Sequence, residues 1–198
     1  MERLDQQMRF VAEIDRLKGV LRQTMLAGPG RRENSAEHSW HIAMMAVTLG
    51  EHAPPGTDIG RVTAMLLLHD LVEIDAGDLF VYADDAQQAR QEEAERAAAD
   101  RIFALLPPDQ AASFRALWDE FEERRTAEAR FARGLDRLQP MLENLTAGGG
   151  TWKQHGITAD RVLDKVKLIE DGSPSLGRYA AGLVDRAVRD GLLAPAPY

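Results

Sequence analysis

Apolar residues recur at steps of three and four along almost the whole chain, a spacing that places them on one side of an α-helix. The first such stretch is ended by the sequence Gly28-Pro29-Gly30. No segment shows the alternation that is typical of a strand, and no internal repeat is found. The pattern therefore predicts an all-helical protein, with helices over residues 3–26, from Ser35 to the break at Pro54-Pro55-Gly56, from Asp58 to 72, and over 86–106, 109–124, 126–146, 158–170 and 175–192.

The predicted helix after Asp58 differs from the others because apolar residues cover nearly all of its circumference between Val62 and Val72. A helix that is apolar on most sides is typically buried at the centre of a protein. The preceding helix has Ser35 as a good N-cap, although the full capping box is missing from Ser35 onward. Residues 73–85 contain Gly77 and several aspartates, which indicates a loop.

Length and composition set limits on the architecture and the location. The 198 residues, 44% of them hydrophobic, suffice for one compact domain with a full core. Cysteine is missing, which excludes disulfides and thiolate–metal sites. No apolar run has the length of a membrane span, and the N-terminus lacks the pattern of a signal peptide. We therefore expect a cytoplasmic protein that does not bind membranes.

The formal net charge of −8 argues against a protein that binds long nucleic acid, because affinity for the phosphate backbone depends on lysine and arginine. The same charge does not exclude a small phosphorylated substrate. A local group of cations or a bound metal ion can outweigh the global charge inside one pocket.

Candidate chemistry begins at His69 and Asp70, which follow an apolar run on the predicted central helix. A buried aspartate beside a histidine is costly unless a salt bridge, a hydrogen-bonded network or a metal ion compensates it. Glu73 lies four residues after His69 and is expected on the same helix face. A third polar group on this face suggests a cavity, although a buried His–Asp pair without metal remains an alternative.

Two further segments carry polar residues in helical, otherwise apolar surroundings. His38 and His41 lie three residues apart on the helix before the central one, and histidines at such positions are either core residues or ligands. Asp136 is flanked by leucines on a later helix and falls where a core stripe should continue. Its alternative role is that of a surface aspartate paired with Arg133 or Arg137.

The order of these residues, a histidine, then His-Asp, then aspartate, resembles the metal-binding signature of the HD-domain superfamily. Longer strings are similar to the 5'-deoxynucleotidase-like branch of that superfamily, and the similarity extends from about Leu17 to Leu145. The resemblance implies a single HD domain over residues 1–198, with a core of about 17–145 and a C-terminal helical extension of about 146–198. The strings are ENSAEHSW, LLLHDLVEIDAGD, LWDEFEE and ARFARGLDRLQPML.

The resemblance implies that His38, His69, Asp70 and Asp136 ligate one divalent metal ion. Two imidazoles and two carboxylates suit a borderline-hard ion and leave coordination positions for water and substrate. Mn²⁺, Co²⁺, Fe²⁺ and Zn²⁺ are all compatible with these ligands, whereas the imidazoles argue somewhat against Mg²⁺.

Glu73 matches the position to which the family assigns activation of the attacking water, a catalytic role in which a carboxylate accepts a proton. The alternative is that Glu73 orients His69. Asp78 matches a position linked to substrate recognition or proton handling, and we expect it in the catalytic machinery. Its alternative role is to brace the loop in which it lies.

A phosphate substrate requires cations, and Arg22, Arg31 and Arg32 are the candidates nearest in sequence to the predicted site. An arginine can hold two phosphate oxygens with its guanidinium group. A surface role is the alternative for each of them. The chain also departs from the better-known deoxynucleotidases, because no aromatic residue follows Arg22 where those proteins carry an Arg-Trp-like pair.

Gly148-Gly149-Gly150 predicts a flexible break, and the segment up to His155 admits two interpretations. It is either a mobile lid over the pocket or a surface loop with Trp152 inserted into the core.

The residues and the resemblance together predict a metal-dependent phosphohydrolase that releases phosphate from nucleoside or deoxynucleoside 5'-monophosphates. Hydrolysis of another phosphate ester or of a phosphodiester is the alternative within enzymes. A non-catalytic regulatory module that retains the metal is the alternative in another class. Relatives commonly form dimers, so a homodimer is expected.

Overall fold

The computed structural model describes residues 2–28 and 30–197, and it is all-helical apart from one short hairpin. The prediction of an all-α fold is confirmed. Pro29, part of the predicted break after the first helix, lies outside the described residues. The helices are α1 Arg3–Ile14, α2 Ser35–Leu49, α3 Ile59–Leu68, α4 Glu73–Ala76, α5 Asp85–Phe103, α6 Pro108–Glu123, α7 Ala127–Thr146, α8 Gly150–Gln154, α9 Ala159–Gly172 and α10 Pro174–Arg189.

The prediction of a continuous helix over residues 3–26 is wrong. α1 ends at Ile14, a 3₁₀ turn covers Asp15–Gly19, and the chain then forms strand β1, Leu21–Met25, which pairs antiparallel with β2, Arg32–Asn34. In β1 the side chains that face inward are polar, whereas Leu21 is exposed. Burial therefore alternates along β1 as in an ordinary strand. Apolar and polar residues do not alternate in the same way, so the hydrophobic pattern of the sequence does not reveal the strand.

The start of α2 also differs from its prediction. Asn34, and not Ser35, is the N-cap, and it forms a full capping box with Glu37. Asn34 accepts a hydrogen bond from the Glu37 backbone N–H, and the Glu37 side chain accepts one from the Asn34 backbone N–H. The Ser35 hydroxyl, which is not needed as a cap, points into the protein.

α3 is the buried central helix that the sequence predicts, and the side chain of Asp58 caps it. Val62, Met65 and Leu66 are fully buried in the main core, which they share with apolar residues of α2 and α7. After Leu68 the backbone tightens into a 3₁₀ turn over His69–Val72, and α4 follows directly. This turn carries the His-Asp pair.

The C-terminal helices α9 and α10 pack on α7 and on each other, and they belong to the same core as α3. Small residues allow the close approach, because a Cβ atom on Gly172 would lie 2.3 Å from the backbone oxygen of Arg130 in α7. Among the described residues, none of the helices is long and apolar enough to cross a membrane.

Candidate metal centre

The four predicted metal ligands meet between three elements of the fold. His38 comes from α2, His69 and Asp70 from the 3₁₀ turn after α3, and Asp136 from the middle of α7. The Nε2 atom of His38 lies 3.1 Å from Asp136 Oδ1, and the Nε2 atom of His69 lies 2.9 Å from Asp70 Oδ1 and 3.8 Å from Asp136 Oδ1. All four residues are buried. His38, His69 and Asp136 thus form a cluster with the spacing of a metal-binding site, and Asp70 lies beside it.

The hydrogen bonds of His69 show that the cluster suits a cation. The Nδ1 atom of His69 lies 2.9 Å from the backbone oxygen of Leu66, which can only accept a hydrogen bond. Nδ1 therefore carries a proton, and Nε2 faces the oxygens of Asp70 and Asp136. Two carboxylates that face Nε2 require a positive charge there, and a second proton on the ring or a divalent metal ion in its place supplies that charge.

The electrostatics of the cluster lead to the same conclusion. Burial opposes a charge on His69, yet Asp70 and Asp136 overcome that effect and raise its pKa to about 10. Burial likewise disfavours ionised Asp70, but His69 and Arg22 lower its pKa to about 2. The carboxylates therefore remain ionised in a buried place, and they attract any cation that enters it.

Asp136 is not a surface residue. Its carboxylate is buried and faces both histidines, which excludes the alternative of a surface ion pair. Arg133 and Arg137 do lie beside it, with nitrogens 3.6 Å and 3.7 Å from Oδ2. Against the effect of burial, Arg137 and the two histidines hold the pKa of Asp136 well below its usual range.

Glu73 and Asp78 line the cavity that opens on the cluster. Glu73 is buried, and its Oε2 atom accepts a hydrogen bond of 2.6 Å from the Ser35 hydroxyl. Burial, with Asp70 as a second contribution, raises the pKa of Glu73 well above its usual value. Asp78 Oδ2 accepts a hydrogen bond of 3.2 Å from the Gln23 backbone N–H, so Asp78 braces β1 as well as lining the cavity.

Only one of the three arginines predicted to bind phosphate reaches the cavity. Arg22 is buried in β1, with Nη1 2.9 Å from Asp70 Oδ2 and 3.8 Å from Asp78 Oδ1. Arg31 and Arg32 are exposed and do not line the cavity. Arg31 pairs with Glu37, and Arg32 donates to the side chain of Gln23.

The cavity, with a volume of about 260 Å³, is lined by four further cations that the sequence analysis did not assign to the site. Two of them, Arg133 and Arg137, have buried Nε atoms without a hydrogen-bond partner within the described part of the chain. Burial, with the neighbouring Arg133 as a second contribution, lowers the pKa of Arg137 to about 10. The four cations are Arg124, Arg133, Arg137 and Lys165.

Acidic and aromatic side chains complete the lining. Glu95 and Glu122 lie there, and burial, reinforced by Glu122, raises the pKa of Glu95 to about 7. Trp152 lines the cavity from the short helix α8 and is buried, as the second interpretation of that segment expects. His155 is exposed, and its ring lies 4.5 Å from that of Phe80.

The chain matches one known protein family and is similar to several known proteins. The family model described as HD domain matches residues 14–176. A protein of Magnetospirillum magnetotacticum, described as a predicted metal-dependent phosphohydrolase, has a solved structure that superposes with a TM-score of 0.93 at 59% identity, over 98% of this chain and 96% of that one.

Curated relatives are more distant. The 5'-deoxynucleotidase HDDC2 of Xenopus laevis is 30% identical over 70% of this chain and 67% of its own length. Its human counterpart is 28% identical over 69% of this chain. The chain spans slightly less than two thirds of that human protein, 65% of its length.

Proposed function

The chain belongs to the HD-domain family and is a metal-dependent phosphohydrolase, and we propose that its substrates are nucleoside and deoxynucleoside 5'-monophosphates. The observation that carries this proposal is the buried group of two histidines and two aspartates beside a cavity that several arginines also line. The distant relatives named 5'-deoxynucleotidase support the substrate class.

We propose His38, His69, Asp70 and Asp136 as the ligands of one divalent ion. Mn²⁺, Co²⁺, Fe²⁺ or Zn²⁺ suits these donors better than Mg²⁺ does. When bound, such an ion supplies Lewis acidity, which lowers the pKa of water and polarises a phosphoryl oxygen.

Glu73 is our candidate for the base that accepts a proton from the attacking water. A general base works best when its pKa lies closer to the working pH than that of an ordinary carboxylate, and burial shifts Glu73 in that direction. The Ser35 hydroxyl fixes one of its oxygens, so the other is available to the water. Asp78 remains a candidate for proton handling or substrate recognition.

Arg133 and Arg137 are our candidates for binding the phosphate oxygens. They lie next to Asp136, one of the proposed metal ligands, and their Nε atoms are buried without a hydrogen-bond partner in the described residues. An anionic ligand stabilises such a guanidinium because it accepts hydrogen bonds from N–H groups that otherwise lack a partner. Arg22 lines the cavity and also stays a candidate, although its nitrogens already face Asp70, Asp78 and Glu33.

The test is phosphate release from a panel of ribo- and deoxyribonucleoside 5'-monophosphates by protein that is stripped of metal and then supplied with Mn²⁺, Co²⁺, Zn²⁺ or Mg²⁺. Glu73→Gln should abolish release while metal binding persists. Glu51→Gln, which changes an exposed glutamate outside the cavity, is the matched control. Hydrolysis only of a diester such as bis(p-nitrophenyl) phosphate would indicate that the substrates are phosphodiesters. No hydrolysis of any of these compounds would favour a non-catalytic regulatory module.

A homodimer and a cytoplasmic location stay predictions. The mass of the protein in solution, measured by light scattering during gel filtration, checks the first of these. Fractionation of the source cells checks the second.

A further inference from the structure

Gln139 lies on α7, behind the metal centre, between His38 and Glu33. Its Oε1 atom is 3.0 Å from His38 Nδ1, and its Nε2 atom donates to Glu33 Oε1 at 2.7 Å. Nε2 is also 3.3 Å from His41 Nδ1. Gln139, Glu33 and His38 are all buried, so water does not satisfy these groups in their place.

The partners of Gln139 determine which way its amide faces. Arg22 lies beside Glu33 and favours its ionised form, which only accepts hydrogen bonds, so the amide nitrogen faces it, and His41 Nδ1 can serve as a second acceptor. With the amide reversed, its oxygen would lie against the carboxylate of Glu33, a buried contact between two acceptors. The amide oxygen is thereby directed to His38.

The direction of this oxygen selects the tautomer of His38. Nδ1 must donate to Oε1, so in the neutral ring Nε2 carries the lone pair. It faces Asp136 Oδ1, 3.1 Å away, and a metal ion between these two acceptors would relieve their contact. This is the form of imidazole that binds a metal through Nε2. A chain of hydrogen bonds thus connects Glu33 with the side of the ring that faces the cluster.

We propose that Glu33 and Gln139 are positioning residues that hold His38 in the metal-binding tautomer and thereby set the affinity of the centre for its metal. The inference rests on the proposed role of His38 as a ligand. The same carboxylate reaches a second proposed ligand, because Glu33 Oε2 lies 3.4 Å from Arg22 Nε and Arg22 donates to Asp70. Glu33 therefore contacts Gln139, which bonds to His38, and also Arg22, which bonds to Asp70.

Exchanging the side chains of Glu33 and Gln139 tests the order of donors and acceptors in these hydrogen bonds directly. Gln139→Met keeps the approximate volume and removes both hydrogen bonds, and it should weaken binding of Zn²⁺ or Mn²⁺ by about 10- to 100-fold. Gln139→Glu should also weaken binding because it places two carboxylates in contact. The double variant Glu33→Gln/Gln139→Glu restores a donor facing an acceptor at both contacts, and it should recover most of the lost affinity.

The tautomer can be measured without any metal. In the stripped protein, ¹H–¹⁵N correlations of the imidazoles, with His38 assigned by its loss in His38→Gln, should show the proton on Nδ1. Gln139→Met should redistribute the proton between the two nitrogens. Asn144→Leu is the matched control, since it changes another buried amide of α7 that contacts Thr151 and not His38. It should alter stability but neither the tautomer nor the metal affinity.

Two results would overturn the inference. One is a Gln139→Met protein that is folded and binds metal as tightly as the wild type. The other is a double variant that remains as weak as Gln139→Glu, because a merely structural role predicts no rescue. Wild-type protein that binds no metal would instead refute the proposed function, and the tautomer measurement would still report on Gln139 by itself.

Discussion

The hydroxyl of Ser35, in the first turn of α2, donates a 2.6 Å hydrogen bond to Glu73 at the start of α4. Both residues are buried, so the contact is shielded from water. It exists because Asn34 caps α2 and leaves the serine side chain free to turn inward. A substitution that leaves the helix intact can therefore perturb the proposed base.

Ser35→Ala should reduce phosphohydrolase activity and shift its pH dependence. The hydrogen bond stabilises ionised Glu73, so its loss raises the pKa of that carboxyl further. Because the base must be deprotonated, the acidic limb of the kcat/KM profile should move to higher pH. At neutral pH, kcat/KM should fall by roughly tenfold.

Ser39→Ala is the control for this prediction, since Ser39 is a buried serine one helical turn further along α2. Its hydroxyl has no hydrogen-bond partner within residues 2–28 and 30–197. The control should keep the wild-type pH profile. An identical acidic limb for Ser35→Ala and the wild type would show that Glu73 does not act as the base.

Arg133→Ala and Arg137→Ala should each lower kcat/KM by about 10- to 100-fold, because each removes one charge-assisted contact to the phosphate. Lysine should restore little at either position, since its ammonium cannot form two parallel hydrogen bonds. Steady-state kinetics across substrate concentrations measure the effect.

Arg31→Ala provides the comparison, because sequence proximity alone would make Arg31 a phosphate ligand. Its side chain is exposed and paired with Glu37, so activity should stay close to that of the wild type. A large loss in Arg31→Ala, with full activity in Arg133→Ala and Arg137→Ala, would reverse the assignment.

Sequence reasoning works well where one signal dominates. The helices of the core follow from apolar spacing, and the apolar circumference of α3 shows that it is the central helix. The buried His-Asp pair drew attention to a candidate site, and the resemblance to the HD-domain superfamily then implied the four metal ligands. The positions of these residues in four ordered motifs made the family recognisable.

The remaining errors have physical reasons. The hairpin was missed because the side chains that β1 turns inward, Arg22 and Thr24, are polar and are compensated by partners distant in sequence. Gln139 carries no local signal, since its importance depends on the meeting of α7 with α2 and β2. Arg133 and Arg137 were noticed only as partners of Asp136, because a pattern does not reveal which cations face a cavity.

Metal removal should destabilise the protein. A ligand that binds only the folded state stabilises it by about 2.7 kcal/mol at one hundred times its dissociation constant. For a chain of this size, the midpoint of thermal unfolding should therefore fall by about 5–10 °C after chelation. Differential scanning fluorimetry at several metal concentrations measures the shift.

Asp136→Asn should abolish the dependence of thermal stability on metal, because it removes one proposed ligand while keeping the shape of the side chain. A wild-type midpoint that does not change over a wide range of metal concentrations would contradict the assignment of these ligands. Asp164→Asn, at an exposed aspartate of α9, should retain the full dependence.

Two glycines of α10 should respond in opposite directions to the same substitution. A Cβ atom on Gly177 would lie 2.6 Å from Cα and Cβ of Glu170, so Gly177→Ala forces α9 and α10 apart. It should lower the free energy of unfolding by about 1–3 kcal/mol. A Cβ atom on Gly182 would meet nothing within 4 Å, so Gly182→Ala should raise that free energy by about 0.5–1 kcal/mol through helix propensity.

Urea denaturation of both variants measures this difference, and both should leave metal binding unchanged because α10 contributes no residue to the cavity. The comparison tests how closely the C-terminal helices pack, since both substitutions add one methyl group to the same helix. Equal stability of the two variants would mean that α9 and α10 are too far apart at Gly177 for an added methyl group to clash with Glu170.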